Sequence, residues 1–308
     1  MGDGRPAWPG VFALLTLLAI TASGCQAIPG GYALTQLTAE AGSEYYPDWS
    51  PDGKTIAYEV EPQQQAYSIW TMNADGSGKA PLLGKAETWL GAPVFSPDGS
   101  RIAFFHSGVI GITDRNGADI QLFDRSPGKN QDFPVWSPDG SKIAYTESSG
   151  SPEALMPSEL WIADSNGTNK VRVLADLDGK VKKRWSHDGT KIVFASAGNL
   201  WLVSPDGSGL LQLTNDTESR DDYPDWSPDD KQISFQSEGK LPDGRDISAI
   251  EIIGADGEGR KVLLDAYTRK KWQFVGEPRW SPDGEKIVFT VKIKGDEYDI
   301  WLMDLTLQ

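Results

Sequence analysis

The chain has 308 residues, long for one core at about 150 residues per domain, but a length that all-β folds reach as a single unit. Its 33 glycines, 20 prolines and 12 tryptophans make it too aromatic for disorder and too rich in turns for a helical bundle. A formal net charge of −15 repels a phosphate backbone, which excludes nucleic acid as a partner, and a single cysteine excludes any disulfide within the chain.

The first element is an apolar run from Val11 to Ile20, which fits the core of a signal peptide and falls short of the roughly 20 residues that a membrane helix needs. Small residues Ala22-Ser23-Gly24 and then Cys25 follow. This ending resembles the lipobox of bacterial lipoproteins, which implies cleavage before Cys25 and acylation of its thiol. The competing readings are an ordinary secretory leader and an uncleaved anchor. Residues 1–24 are thus expected to be a lipoprotein signal peptide and residues 25–32 a lipidated tether, reaching at most about 25 Å. The protein is then expected in the bacterial cell envelope, held to its membrane through lipid on Cys25.

Residues 33–308 carry an internal repeat. Trp49-Ser50-Pro51-Asp52-Gly53 returns with its aromatic at Phe95, Trp136, Trp185, Trp226 and Trp280, at intervals of 46, 41, 49, 41 and 54 residues. Each copy continues into an alternating strand such as Ile56-Ala57-Tyr58 or Ile287-Val288-Phe289, and then a third strand with Trp70, Trp161, Trp201 or Trp301 at one position. Gly111 and Glu251 stand there in copies two and five. Dipeptides that accept positive φ, such as Asn116-Gly117 and Asp206-Gly207, turn into a fourth strand. Copy six ends without that strand. Ala33-Leu34-Thr35-Gln36-Leu37-Thr38 resembles Leu211-Gln212-Leu213-Thr214 and is expected to supply it. The expected fold is all-β, a six-bladed propeller of four-stranded blades closed by its N-terminal strand.

The Trp-Ser-Pro-Asp-Gly-x-x-Ile-Ala-Phe pattern, with the Ile-Trp-x-Met strand and the Ala-Asp-Gly-Ser-Gly turn, resembles the repeats of TolB-type, WD40-like β-propellers over about residues 33–308. In TolB itself the propeller follows an α/β domain and works in the envelope with partners including the lipoprotein Pal. No room for that domain lies between Cys25 and Ala33, so the resemblance implies the architecture and the envelope setting more than that role.

Two constellations are candidate sites. Loops between the second and third strands vary in length while the turns of the opposite face repeat, so recognition is expected on the variable face. Its candidates are Trp89, Trp272, Phe274 and Tyr67, with the basic run Arg269, Lys270 and Lys271; Tyr45, Tyr46, Tyr223, Tyr267 and Tyr298 belong to the same face. Aromatics beside arginine suit another envelope protein or peptide. Capping of the blade ends is the structural alternative for each ring. The second constellation precedes the repeated aromatic of the first strand, where Asp48, Arg184, Asp225 and Arg279 alternate in sign and are expected to form a chain of ion pairs between neighbouring blades in the channel. Carbohydrate or a small ligand at the channel mouth is the rival function.

Catalysis finds no familiar motif. There is no Gly-x-Ser-x-Gly elbow, no phosphate loop, and only His106 and His187, in different copies, against the clustered histidine ligands that propeller lyases acting on uronates use. The expectation is a monomeric binding protein, not an enzyme, with no metal and no cofactor. Asp221, Asp222 and Glu218 form an acidic loop with a minor claim to a cation.

Overall fold

The computed structural model describes residues 26–27, 32–61, 67–84, 88–149, 157–240, 246–268, 272–293, 295 and 297–306, and every regular element among them is a strand. The chain opens with β1 (Gln26–Ala27) and β2 (Ala33–Gln36). Blade 1 is β3 (Ser43–Trp49), β4 (Thr55–Glu61), β5 (Ser68–Asn73) and β6 (Ala80–Leu83). Blade 2 is β7 (Leu90–Phe95), β8 (Arg101–His106), β9 (Val109–Asp114) and β10 (Gln121–Leu122). Blade 3 is β11 (Lys129–Trp136), β12 (Lys142–Ser149), β13 (Ser158–Asp164) and β14 (Val171–Leu177). Blade 4 is β15 (Lys183–Trp185), β16 (Ile192–Ser196), β17 (Asn199–Val203) and β18 (Leu211–Gln212). Blade 5 is β19 (Ser219–Trp226), β20 (Gln232–Lys240), β21 (Asp246–Gly254) and β22 (Lys261–Asp265). Blade 6 holds β23 (Phe274–Trp280), β24 (Lys286–Lys292) and β25 (Tyr298–Asp304).

The ring closes through the N-terminal segment. β2 lies antiparallel on β25, with Leu34 opposite Met303 and Gln36 opposite Trp301, and Leu34 and Met303 are fully buried. Blade 6 is therefore built from both ends of the repeat region, which removes two free sheet edges at once. Within the segment expected as a tether, Gln26 and Ala27 pair with Leu34 and Ala33 and add β1 as a fifth strand. The signal peptide and Cys25 lie outside the described residues.

The repeat places the core between blades. Trp49, Ile56, Tyr58 and Met72 of blade 1 pack with Val288 and Ile300 of blade 6. Each tryptophan of a first strand buries about 150–250 Å², and some also tie blades by a hydrogen bond. The indole N–H groups of Trp49, Trp136 and Trp226 donate to the carbonyls of Arg279, Val94 and Arg184 on the preceding blade, at 3.2–3.3 Å.

The repeated turn has a side-chain framework of its own. In all six, the serine hydroxyl donates to the aspartate two residues on, and that carboxylate accepts the next turn N–H, as in Ser137 to Asp139 at 2.6 Å and Ser141 N to Asp139 at 3.0 Å. These donors hold the carboxyls of Asp98 and Asp139 down at about 2. Turn glycines stack on the proline of the preceding blade, Gly140 on Pro97 and Gly189 on Pro138 among them. Where the consensus fails, it fails on both sides of one contact. His187 replaces a proline and Asp230 replaces the glycine that would meet it, and Asp230 accepts from the His187 and Asp188 N–H groups at 2.8 and 2.9 Å while its carboxylate lies 2.9 Å from His187 Nδ1. Asp230 adopts φ 55°, which aspartate tolerates better than most residues.

Candidate functional site

The innermost strands carry a second repeated feature. In five blades the ladder slips between the first and second strands, and the slipped residue has positive φ: Tyr46 (50°), Ala92 (47°), Phe133 (52°), Tyr223 (53°) and Glu277 (55°). A proline follows each, at Pro47, Pro93, Pro134, Pro224 and Pro278, where the interrupted ladder needs no N–H. Blade 4 has Lys182-Lys183 instead. A non-glycine residue in this region costs on the order of 1–3 kcal/mol, and such strain repeated around a channel marks the channel as the place to examine.

The bulges of alternate blades aim aromatic rings at the axis. Tyr46 lies 5.7 Å from Phe133 and 6.0 Å from Tyr223, centroid to centroid, and the Lys182 ammonium sits 5.0 and 4.5 Å from the rings of Phe133 and Tyr223. Burial and the neighbouring Glu277 carboxyl push the Tyr223 phenol well up. Together these side chains narrow the channel to a space of about 20 Å³, so that two separate cavities face opposite ways.

On the turn side lies a cavity of about 410 Å³ walled by the first-strand aromatics and turn prolines, with Asp48, Arg184, Asp225 and Arg279 at its floor. The pairing there differs from the expected chain between neighbours. Arg184 alone holds both acids, Nη2 to Asp48 at 3.0 Å and Nε to Asp225 at 3.3 Å, and Asp48 belongs to the blade opposite. The second oxygens accept backbone N–H groups of the next blades, Phe95 to Asp48 at 3.0 Å and Trp280 to Asp225 at 2.8 Å. Arg279 has no carboxylate within 4.0 Å among the described residues. A narrow ring lets a guanidinium span the axis, which neighbour-by-neighbour sign alternation cannot foresee. Burial nevertheless raises Asp48 to about 6, against the pull of Arg184.

On the loop side, blades 1 to 3 enclose a cavity of about 540 Å³. Trp89, 49% exposed, stacks on Tyr67 with centroids 5.3 Å apart, and its backbone is pinned by Ser107, whose hydroxyl and N–H engage Trp89 at 3.1 and 2.8 Å. Glu59, Glu61 and Asp132 line the wall, and Lys180 approaches Asp132 at 3.6 Å. Burial pushes Glu59 well above the ordinary carboxyl range and raises Asp132; Glu59 accepts the bulged N–H of Ala92 at 3.0 Å. Gly91 makes room for this, since a Cβ there would lie 2.0 Å from the Glu59 carboxylate.

The expected surface group divides. Tyr67 and Trp89 share the cavity just described, whereas Trp272 and Phe274 flank a second recess between blades 5 and 6. Trp272 lies 5.0 Å from Trp301 and 6.3 Å from Phe289, which makes it a cap on the core of blade 6. Phe274 lies 5.6 Å from Tyr298, itself 4.9 Å from Tyr45, so that an aromatic row leads from blade 6 to the plug. Arg269, Lys270 and Lys271 lie outside the described residues. Asp221 is not available to a cation, because Arg260 grips both its oxygens at 3.0 Å. That arginine also pairs with Glu251 at 2.6 Å and covers Phe235, doing at blade 5 what a third-strand tryptophan does elsewhere.

Several solved structures share this architecture. An oligogalacturonate lyase in complex with manganese superposes with a TM-score of 0.64 at 13% identity, covering 91% of this chain and 95% of that one. A putative TolB from Agrobacterium tumefaciens gives 0.63 at 19% identity, covering 89% and 97%. Among curated proteins, the uncharacterized peptidase YuxL of Bacillus subtilis (strain 168) is 28% identical over 128 residues, which are 38% of this chain and 18% of that protein. These findings overturn the expectation that the chain is not an enzyme: its ring is one on which enzymes are built, and enzyme activity is open to it. Burial is what raises Glu59, and a carboxyl shifted that way carries no sequence motif. The model of the TolB beta propeller domain, PD40, matches residues 28–184, just over half of the sequence, and the chain belongs to that family.

Proposed function

We propose that this propeller recognises a positively charged segment of another protein in the cavity that Trp89 and Tyr67 share with Glu59, Glu61 and Asp132. The observation that carries this is the exposed, pinned Trp89 stacked beside a wall of carboxyls. Aromatic anchors next to carboxyls offer a lysine or arginine side chain both a ring face and hydrogen-bond acceptors. The net charge of −15 draws such a segment in. A putative TolB has the same fold, which supports a role in binding proteins.

The test is quenching of tryptophan fluorescence on titration with lysine- and arginine-rich peptides. Basic peptides are expected to quench, and Trp89→Ala with Glu61→Gln to abolish it. Binding of neutral oligosaccharides with no response to any peptide would transfer the site to the carbohydrate reading.

A second reading rests on the Glu59 carboxyl, whose pKa burial pushes well above the ordinary range, the direction a general acid acting on the bound ligand needs. Assays with polyuronate and with peptide substrates test it, with Glu59→Gln expected to remove any turnover found.

We also propose that the protein is lipid-anchored at Cys25 in the bacterial envelope. Metabolic labelling with an alkyne fatty acid is expected to mark the wild type and not Cys25→Ser, and equal labelling of both would reject the anchor.

A further inference from the structure

We propose that the cavity on the turn face is a second binding site, taking a small organic carboxylate whose head group pairs with Arg279. It lies across the aromatic plug from the cavity of the proposed function and stands or falls independently of it.

The acids at the floor are already answered. Asp48 and Asp225 share Arg184, and their remaining oxygens accept the N–H groups of Phe95 and Trp280. Arg279 is the group left over. It is 7% exposed and donates from Nη1 to the adjacent Pro278 carbonyl at 2.7 Å, while its Nε finds no protein acceptor. The nearby Glu277 carboxyl accepts on one oxygen, Oε2, from Tyr46 N and from the Thr290 hydroxyl, both at 2.8 Å, and burial raises its pKa. A buried guanidinium without a contact ion pair is costly: Asp225, Asp48 and Glu277 favour its charge only from a distance, and burial together with the charge of Arg184 lowers Arg279 to about 10, still cationic at neutral pH.

A guanidinium whose hydrogen bond to protein runs to the adjacent Pro278 carbonyl, with no carboxylate within 4.0 Å among the described residues, answers an oxyanion. A volume of about 410 Å³ exceeds what a bare ion fills, and the tryptophans and prolines of the cone present flat apolar surfaces to the rest of a ligand. A carboxylate with a ring for a body fits both halves: two oxygens for the guanidinium fork and a face for the aromatics.

Calorimetric titration of the full chain with benzoate, and with benzamide as its uncharged counterpart, tests the site. Benzoate is expected to bind and benzamide to bind at least about tenfold more weakly, since the charged pair is lost. Arg279→Gln is expected to weaken benzoate by a similar factor. Because that variant removes a buried group, the wild type supplies a second measurement: acetate is expected to displace benzoate. Equal binding of benzoate and benzamide, or undiminished benzoate affinity in a folded Arg279→Gln protein, would overturn the proposal. Displacement by chloride at the same concentration as acetate would also overturn it, leaving an adventitious ion only.

Discussion

The two faces of the ring are made from the same repeat and treat charge in opposite ways. On the turn face every carboxylate of the repeat is spent on its own turn, six Ser–Asp pairs within 2.7 Å, and Asp98 and Asp139 titrate near 2. On the loop face the carboxyls of Glu59, Glu277 and Asp132 are buried beside strained bulges and titrate high. One rim thus spends its carboxyls on turn hydrogen bonds, while the other buries them beside strained backbone. The lesson is that repetition marks scaffold and departures from it mark chemistry, with the channel floor, Arg184 and Arg279, as the place where the two meet.

The comparison is broken most forcefully at the scaffold. Arg184→Gln strands Asp48 and Asp225 in the floor without their shared cation and is expected to cost about 3–5 kcal/mol, read by urea denaturation. Trp226→Ala removes a buried ring and its bond to Arg184 O, for a similar loss of about 3–5 kcal/mol. A loss below about 1 kcal/mol in either would mean that the inner strands do not hold the ring together.

The opposed titrations predict how stability follows pH. Burial holds Glu44 at about 8 in the folded protein against 4.5 for a free carboxyl, so its contribution is complete below 4.5 and lost as pH rises to about 8. Asp48 and Asp299, both raised by burial to about 6, act in the same sense between 3.8 and 6. The depressed turn aspartates act oppositely: what Asp98 and Asp139 contribute is present above 3.8 and lost as pH falls to about 2. The melting temperature is therefore expected to peak between about pH 4 and 5, and Glu44→Gln to flatten the decline between 5 and 8. A peak at pH 8 would refute the assignment.

Smaller effects sharpen the picture. His187→Pro and Asp230→Gly each break a matched contact, and each is expected to cost about 1 kcal/mol, while the double variant restores the proline-on-glycine stack and recovers most of it. Strict additivity would contradict the pairing. Smallest of all, Trp89→Ala is expected to change stability by no more than about 0.5 kcal/mol, because the ring is half in solvent.

How much of this was legible in the sequence follows from how local each feature is. Turns, strand periodicity and the missing strand of blade 6 are local patterns, and Leu34 against Met303 lies where the likeness of residues 33–38 to a fourth strand puts it. The X-Pro-x-Trp motif of the bulges, with Phe95 for the tryptophan in blade 2, is local too, yet nothing local tells that Tyr46, Phe133 and Tyr223 converge, because they sit 87 and 90 residues apart and meet only through the ring. The same distance problem hid Arg184 reaching Asp48 across the axis. Tyr67 and Trp89 stood out as aromatics off the repeat, and so did Trp272, which differs only in having Trp301 beneath it.

The measurement that bears most directly on the two-faced ring is hydrogen exchange of the full chain with and without a lysine-rich peptide. Protection is expected in the backbone around Tyr67, Trp89 to Ala92 and Lys129 to Phe133, with no change in the six Ser-Asp turns across the plug. Protection centred on those turns, or spread evenly over both rims, would contradict the account.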